Sequence, residues 1–179
     1  DEERKIDLNR LMLSNGNAPD ERRLAVFQRL LDTLGIDRAV ADAVVDWMDN
    51  DENPRVGGAE SSYYLGLPKP YRSKNDLFDT IGELRLVRGV TAEVFAKLLP
   101  FVTVSSSGMV NINTAPKEVL MSLSAGTDLA EVGAIDAKKT YSDASRSIIG
   151  QAYLMIAGRE TNIPEQEEQL CRKALEYGS

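Results

Sequence analysis

The chain has 179 residues, with 21 Lys+Arg against 28 Asp+Glu for a formal net charge of −7, one cysteine and no histidine. That length suits one domain, or one domain with an appendage, and buries about 70% of the surface the unfolded chain exposes, so neither metal nor disulfide is needed merely to fold. Without histidine there is no Ser-His-Asp triad, Cys-His pair, HExxH zinc site or haem-ligating imidazole, and Cys171 alone makes no internal disulfide or all-cysteine zinc site.

The longest uninterrupted apolar runs are a few residues, far short of the ~20 needed to span a bilayer. The opening DEERK lacks the basic stretch and apolar core of a signal peptide. The acidic balance argues against nucleic acid or an anionic membrane as the main partner.

Taken in chain order, Arg4–Leu13 places apolar residues at Ile6, Leu8 and Leu11 and reads as a strand, followed by the turn cluster Ser14-Asn15-Gly16-Asn17. A helix begins near Pro19, with Asp20 and Glu21 in its first turn, where acids suit the helix dipole. Leu24, Phe27, Leu30, Leu31 and Leu34 give it a helical stripe and Gly35 stops it. Asp37 is the cap expected for a second helix with Val40, Ala43, Val44 and Trp47 inward; Pro54 and the Gly57-Gly58 pair end any helical continuation. Tyr63 to Tyr71 reads as irregular.

Thr80-Ile81-Gly82-Glu83 has the form of a capping box before a helix carrying Ile81, Leu84 and Val87. Gly89 breaks that helix, Thr91 caps the next with Val94, Phe95, Leu98 and Leu99 inward, and Pro100 ends it. Phe101–Val104 and Met109–Ile112 read as two short strands around Ser105-Ser106-Ser107-Gly108. Pro116 opens a helix through Val119, Leu120 and Leu123. Ser124–Tyr141 reads as a long loop, and Ser142–Ile156 and Pro164–Tyr177 as two further helices. The expected fold is mainly α, six or seven helices with a minor β component.

Chemistry concentrates in residues 46 to 60, where Asp46, Asp49, Asp51, Glu52, Asn53 and Glu60 crowd a short irregular span. Hard oxygen ligands on a tight loop suit calcium, which takes 6–8 oxygens at about 2.3–2.6 Å. Counted as an EF-hand loop from Asp49, the third position is Asp51 and the twelfth Glu60, but Pro54 stands at the sixth, where the sharp turn demands glycine. The pattern therefore points to a metal without the EF-hand fold, and a solvated acidic loop stands beside it as the plain alternative.

Gly89-Val90-Thr91, between two apolar segments, has the look of a helix-hairpin-helix that offers amides to a phosphate, and Val110–Leu123 resembles the opening of the same motif. Arg85, Arg88 and Lys97 are balanced there by Glu83 and Glu93, whereas phosphate binding needs a positive footprint. A hairpin used for packing is what the charge favours; a nucleic-acid-binding module is the alternative function. A ligand-stacking patch at Trp47, Tyr63, Tyr64 and Tyr71 and a reactive Cys171 are weaker than their readings as core residues. A carboxylate-dependent hydrolase would need aromatic platforms, and aromatics are 6% of the chain.

In combination, ERKIDLNRL, DWMDNDENPRVGGAESSYY, PYRSKNDLFDTIGEL, VRGVTAEVFAKLLPFVTV and VNINTAPKEVL resemble the type II secretion system protein K family, the large minor pseudopilins, over about Glu3 to Leu123. The resemblance implies a small pilin-like α/β part carrying a large helical domain with helix-hairpin-helix-like (SAM-like) packing. On this chain that gives residues 1–16 as a remnant pilin-type strand region, 17–123 as the helical domain with the acidic loop, and 124–179 as a C-terminal helical segment. It implies no enzymatic activity. Its expected role is structural: a subunit at the tip of the pilus-like pseudopilus with the I-type and J-type minor pseudopilins, serving assembly initiation and protein secretion, with the secreted protein or the outer-membrane channel as further partners. The expected place is the periplasmic face of the bacterial inner membrane, with attachment through an N-terminal helix that these residues do not include. It also implies calcium (Ca2+) in the helical domain, with Asp46, Asp49, Asp51, Asn53 and Glu60 as its ligands here.

Overall fold

The computed structural model describes residues 2–13, 16, 18–111 and 114–123. The helices expected at Ser142–Ile156 and Pro164–Tyr177, the loop between Ser124 and Tyr141, and Cys171 lie outside the described residues.

The first helix, α1 (Glu21–Thr33), starts where the Asp20 carboxylate accepts from the backbone N–H of Arg22 and Arg23. A side-chain acceptor here satisfies N–H groups that have no partner inside the helix. Leu24, Phe27, Leu30 and Leu31 bury one face, with Val26 beside them. At its end Gly35 takes a positive φ of 65°, its N–H donates to Asp32 O and the N–H of Ile36 reaches back to Leu31 O. These two bonds close a Schellman motif, which needs the left-handed conformation glycine adopts freely. The second helix, α2 (Ala39–Met48), is buried nearly all round, from Val40 to Met48. Such a helix is apolar on every face because it runs through the core. Its cap falls one residue later than Asp37, at Arg38, whose guanidinium is paired with Asp32; Asp37 instead accepts from the N–H of Ala39.

A short helix, α3 (Ser61–Leu65), stands where the sequence reads as irregular. It brings buried Tyr64 edge-on to Trp47, with ring centroids 5.2 Å apart, and stacked on Tyr71. The Glu83 half of the expected capping box is in place, its carboxylate accepting from the N–H of Thr80 at 2.8 Å. The segment it starts, Ile81–Leu86, is a 3-10 helix and not an α-helix. The next helix, α4 (Ala92–Leu98), has Thr91 as its cap, as expected, and buries Phe95 and Leu98. The last described helix, α5 (Lys117–Leu123), packs along α1, where Arg29 donates to the Ser122 carbonyl at 2.7 Å and also reaches that of Leu123. A cation there suits the negative end of the helix.

The β component is smaller than expected. Strand β1 is only Ile6–Asp7 and pairs in parallel with β2, Val102–Thr103, in the register Ile6 to Val102 and Asp7 to Thr103. Leu8–Leu11 forms a 3-10 turn, because the Asp7 side chain accepts from the N–H of Asn9 and turns the chain. Buried Leu8 and Leu11 lie three apart, the period of that turn. Met109 to Asn111 is not a strand; the Asn111 N–H donates to Glu3 O.

Side chains fasten this first segment to distant parts of the chain. Asn9 donates to the carbonyls of Phe78 and Val104 and accepts from the Phe78 N–H. Asp7 and Glu3 accept from Ser106 and Ser107 respectively. Ile6, Leu8, Leu11 and Met12 enter the same hydrophobic core as α1 and α2.

Candidate functional site

Asp46 lies in the last turn of α2 and Asp49 is the residue that ends it, so their i, i+3 spacing puts both carboxylates on one side. Glu60 is the residue that starts α3, its carbonyl accepting from the N–H of Tyr63 at 2.9 Å. The loop between them folds back onto α2. Asp42 accepts from the N–H of Gly57 and Asp46 Oδ2 from the N–H of Arg55 at 3.0 Å. Two glycines make this closure possible. A Cβ on Gly58 would stand 1.9 Å from Asp46 Oδ2, and one on Gly57 would stand 2.7 Å from the Ala39 Cα. Arg88 secures the same turn, donating to Gly58 O at 2.7 Å.

The result is a group of three buried carboxylates, Asp46, Asp49 and Glu60, exposed 0%, 6% and 1%, each offering an oxygen within 4.8 Å of the others. Asp46 Oδ1, Asp49 Oδ1 and both Glu60 oxygens are buried without a hydrogen-bond partner. Buried charges of one sign are costly unless a counter-charge meets them. Burial pushes Glu60 up to about 8, reinforced by the charges of Asp46 and Asp49. Burial likewise raises Asp46 to about 6, against the Arg55 N–H bond, and raises Asp49 with help from Asp51. Among the described residues the cationic group that reaches these acids within 4.0 Å is Arg55, whose Nε is 4.0 Å from Asp46 Oδ1.

Of the five residues expected to hold a metal, the structure brings together Asp46, Asp49 and Glu60. Asp51 and Asn53 are exposed and pair with each other, the Asp51 carboxylate accepting from the Asn53 N–H at 2.7 Å. Counting along an EF-hand template marks Asp51 because it treats the loop as continuous ligand spacing. The helical register of Asp46 and Asp49 is the signal that picks the buried pair. The donor set fits a hard divalent cation: three carboxylates supply three to six oxygens, several already unpartnered.

The other candidates are occupied by structure. Arg85 lies over the Phe95 ring, Lys97 pairs with Glu93, and Arg88 lies over Tyr63 besides holding Gly58. The Gly89 hairpin joins a 3-10 segment to a seven-residue helix whose Val94 N–H is taken by the Thr91 hydroxyl. A phosphate would find neither free cations nor two α-helices there, so the nucleic-acid reading is not favoured. Trp47 and Tyr64 are core, packed on each other.

Comparison with known proteins places these features. The type II secretion system protein K of Pectobacterium carotovorum subsp. carotovorum is 42% identical over 95 residues, 50% of this chain and 29% of that protein. The proteins K of Pseudomonas aeruginosa and Aeromonas hydrophila are 35% identical over 125 residues and 40% over 120, covering 66% and 63% of this chain and 37% and 36% of theirs. The chain thus spans about a third of the length of these curated relatives. In fold it matches a chain from the crystal structure of the GspK-GspI-GspJ complex of enterotoxigenic Escherichia coli, with a TM-score of 0.62 at 20% identity over 86% of this chain and 61% of that one. The family model for the type II secretion system (T2SS), protein K, matches residues 4–107, more than half of the sequence, and the chain belongs to that family.

Proposed function

We propose that this chain is the helical part of a minor pseudopilin, a structural and non-enzymatic subunit at the tip of the type II secretion pseudopilus. There it joins I-type and J-type minor pseudopilins at the periplasmic face of the inner membrane and helps initiate pseudopilus assembly for protein secretion. The match of residues 4–107 to the family carries this reading, and the fold likeness to a chain of the GspK-GspI-GspJ complex supports the choice of partners.

In the same reading Asp46, Asp49 and Glu60 hold a calcium ion. A calcium ion supplies positive charge and coordination only, so the role is structural. Asp46 and Asp49 fix the end of α2, Glu60 fixes the start of α3, and the Gly57-Gly58 turn lets the intervening loop lie against Asp42 and Asp46. The observation behind the metal is the four buried, unpartnered carboxylate oxygens.

The test is co-purification of the chain with I-type and J-type minor pseudopilins, in millimolar calcium and in chelator. A ternary complex that forms in calcium is the expected result. Failure of either partner to bind at micromolar concentration refutes the tip-subunit role. A thermal transition that calcium does not raise in the chain alone refutes the metal site separately.

A further inference from the structure

We propose that Arg55 sets the charge of the carboxylate site, holding it to that of a divalent ion and restraining its affinity. This rests on the calcium reading above. Ionised, the three carboxylates carry three negative charges; the guanidinium 4.0 Å from Asp46 Oδ1 brings these four groups to a net of minus two, with Asp42, Asp51 and Glu52 standing outside them. Asp46 divides its oxygens between the two jobs, since Oδ2 takes the Arg55 N–H and Oδ1 is the atom left for a metal. No other cationic side chain among the described residues comes within 4 Å of the three acids. Arg55 also has a second anion in reach, Glu21 at the start of α1, with Nη2 to Oε1 at 3.8 Å. The guanidinium therefore has somewhere to rest when a metal takes Asp46 Oδ1, and it stays close enough to repel that metal.

The repulsion can be bounded from the geometry. A metal bound to Oδ1 at ~2.4 Å lies no more than ~6.4 Å from Nε. Arg55 is a third exposed while Asp46 is wholly buried, so a bulk-water dielectric gives the least repulsion the geometry allows. Coulomb's law then weakens a divalent ion at least about tenfold and a trivalent ion at least about thirtyfold. The effect scales with the ion's charge, which distinguishes charge setting from a packing role.

Isothermal titration of calcium and of terbium(III) into the chain, Arg55→Gln and Arg55→Lys, at low ionic strength, tests this. Gln keeps the backbone N–H that Asp46 uses, and Lys keeps the charge. Arg55→Gln is expected to tighten calcium at least about tenfold and terbium at least about thirtyfold, while Arg55→Lys stays near the parent affinity. Unchanged or weaker binding by Arg55→Gln, or the same factor for both ions, overturns the proposal while leaving the calcium reading intact. If the parent chain binds neither ion, the calcium reading fails and this inference with it.

Discussion

The acid most disturbed by its surroundings, Glu60, makes the stability of the metal-free chain depend on pH in a direction opposite to the usual carboxylate. Its folded pKa, about 8, lies above the ordinary 4.5 because burial and the charges of Asp46 and Asp49 oppose its ionisation. The folded state therefore binds the proton more tightly than the unfolded one. Stability is full below pH 4.5, falls as pH rises through the window, and levels off above pH 8. At 1.36 kcal/mol per unit, the loss between pH 5 and pH 8.5 is on the order of 4 kcal/mol. Asp46 and Glu60 repel each other, so the two carboxyls titrate together across this window. For a chain of this size that loss corresponds to a fall in Tm on the order of 10 °C. Differential scanning fluorimetry across pH 5 to 8.5 in chelator should show it, and Glu60→Gln should flatten the slope. Saturating calcium should abolish it, since the ion replaces the proton as counter-charge. A metal-free Tm that stays level over this window, or a slope that calcium leaves unchanged, refutes the reasoning.

Gly58→Ala places a methyl group where Asp46 Oδ2 stands and so forces the turn away from α2. Calcium stabilisation should be lost, with a further cost of about 1–3 kcal/mol in urea unfolding without metal. Asp46→Asn should likewise abolish the calcium-dependent rise in Tm, whereas Asp51→Asn, on an exposed carboxylate bonded only within its own turn, should leave that rise intact. Asn9→Ala removes three bonds to Phe78 and Val104, two donated and one accepted. At about 1 kcal/mol each it should cost on the order of 3 kcal/mol in urea unfolding, with the calcium response retained.

Legibility in the sequence follows how local the determining signal is. The cap Thr91, the stop at Gly35 and the inward stripe of α1 are all decided within one or two helical turns and are found where the residues place them, while Asp20, read as a first-turn acid, proves to be the cap of α1. The pairing of Ile6 with Val102 spans nearly a hundred residues and leaves no mark in either two-residue strand. Over Ile81–Leu86 the apolar spacing is too short to separate a period of 3.0 from one of 3.6. The helix at Ser61–Leu65 is hidden because its stability comes from Tyr64 packing on Trp47 and Tyr71 and not from helix propensity. At the site, residue type and crowding identify the acids but not their directions. Asp49 and Asp51 differ by two positions, yet the end of α2 falls between them, turning one inward and leaving the other in solvent.

That placement at a helix end decides what a cation can do here. Asp46 and Asp49 sit at the negative pole of α2, the less favourable end for a carboxylate, and Asp46 is wholly buried. Helix propensity and dipole therefore work against the arrangement, while the core packing of Val40, Val44, Trp47 and Met48 holds α2 where it is. The segment from residue 49 to 60 is tied to α2 by the Asp42 and Asp46 bonds and to the turn after Ile81–Leu86 by the Arg88 bond. A divalent ion bound at 100 times its Kd adds about 2.7 kcal/mol. Set beside a separate core built by α1, α2 and the first segment, that energy decides whether the loop is closed on α2, not whether the chain folds. On the proposed calcium reading, the ion would hold the surface of this loop against α2, while the core would fold without it.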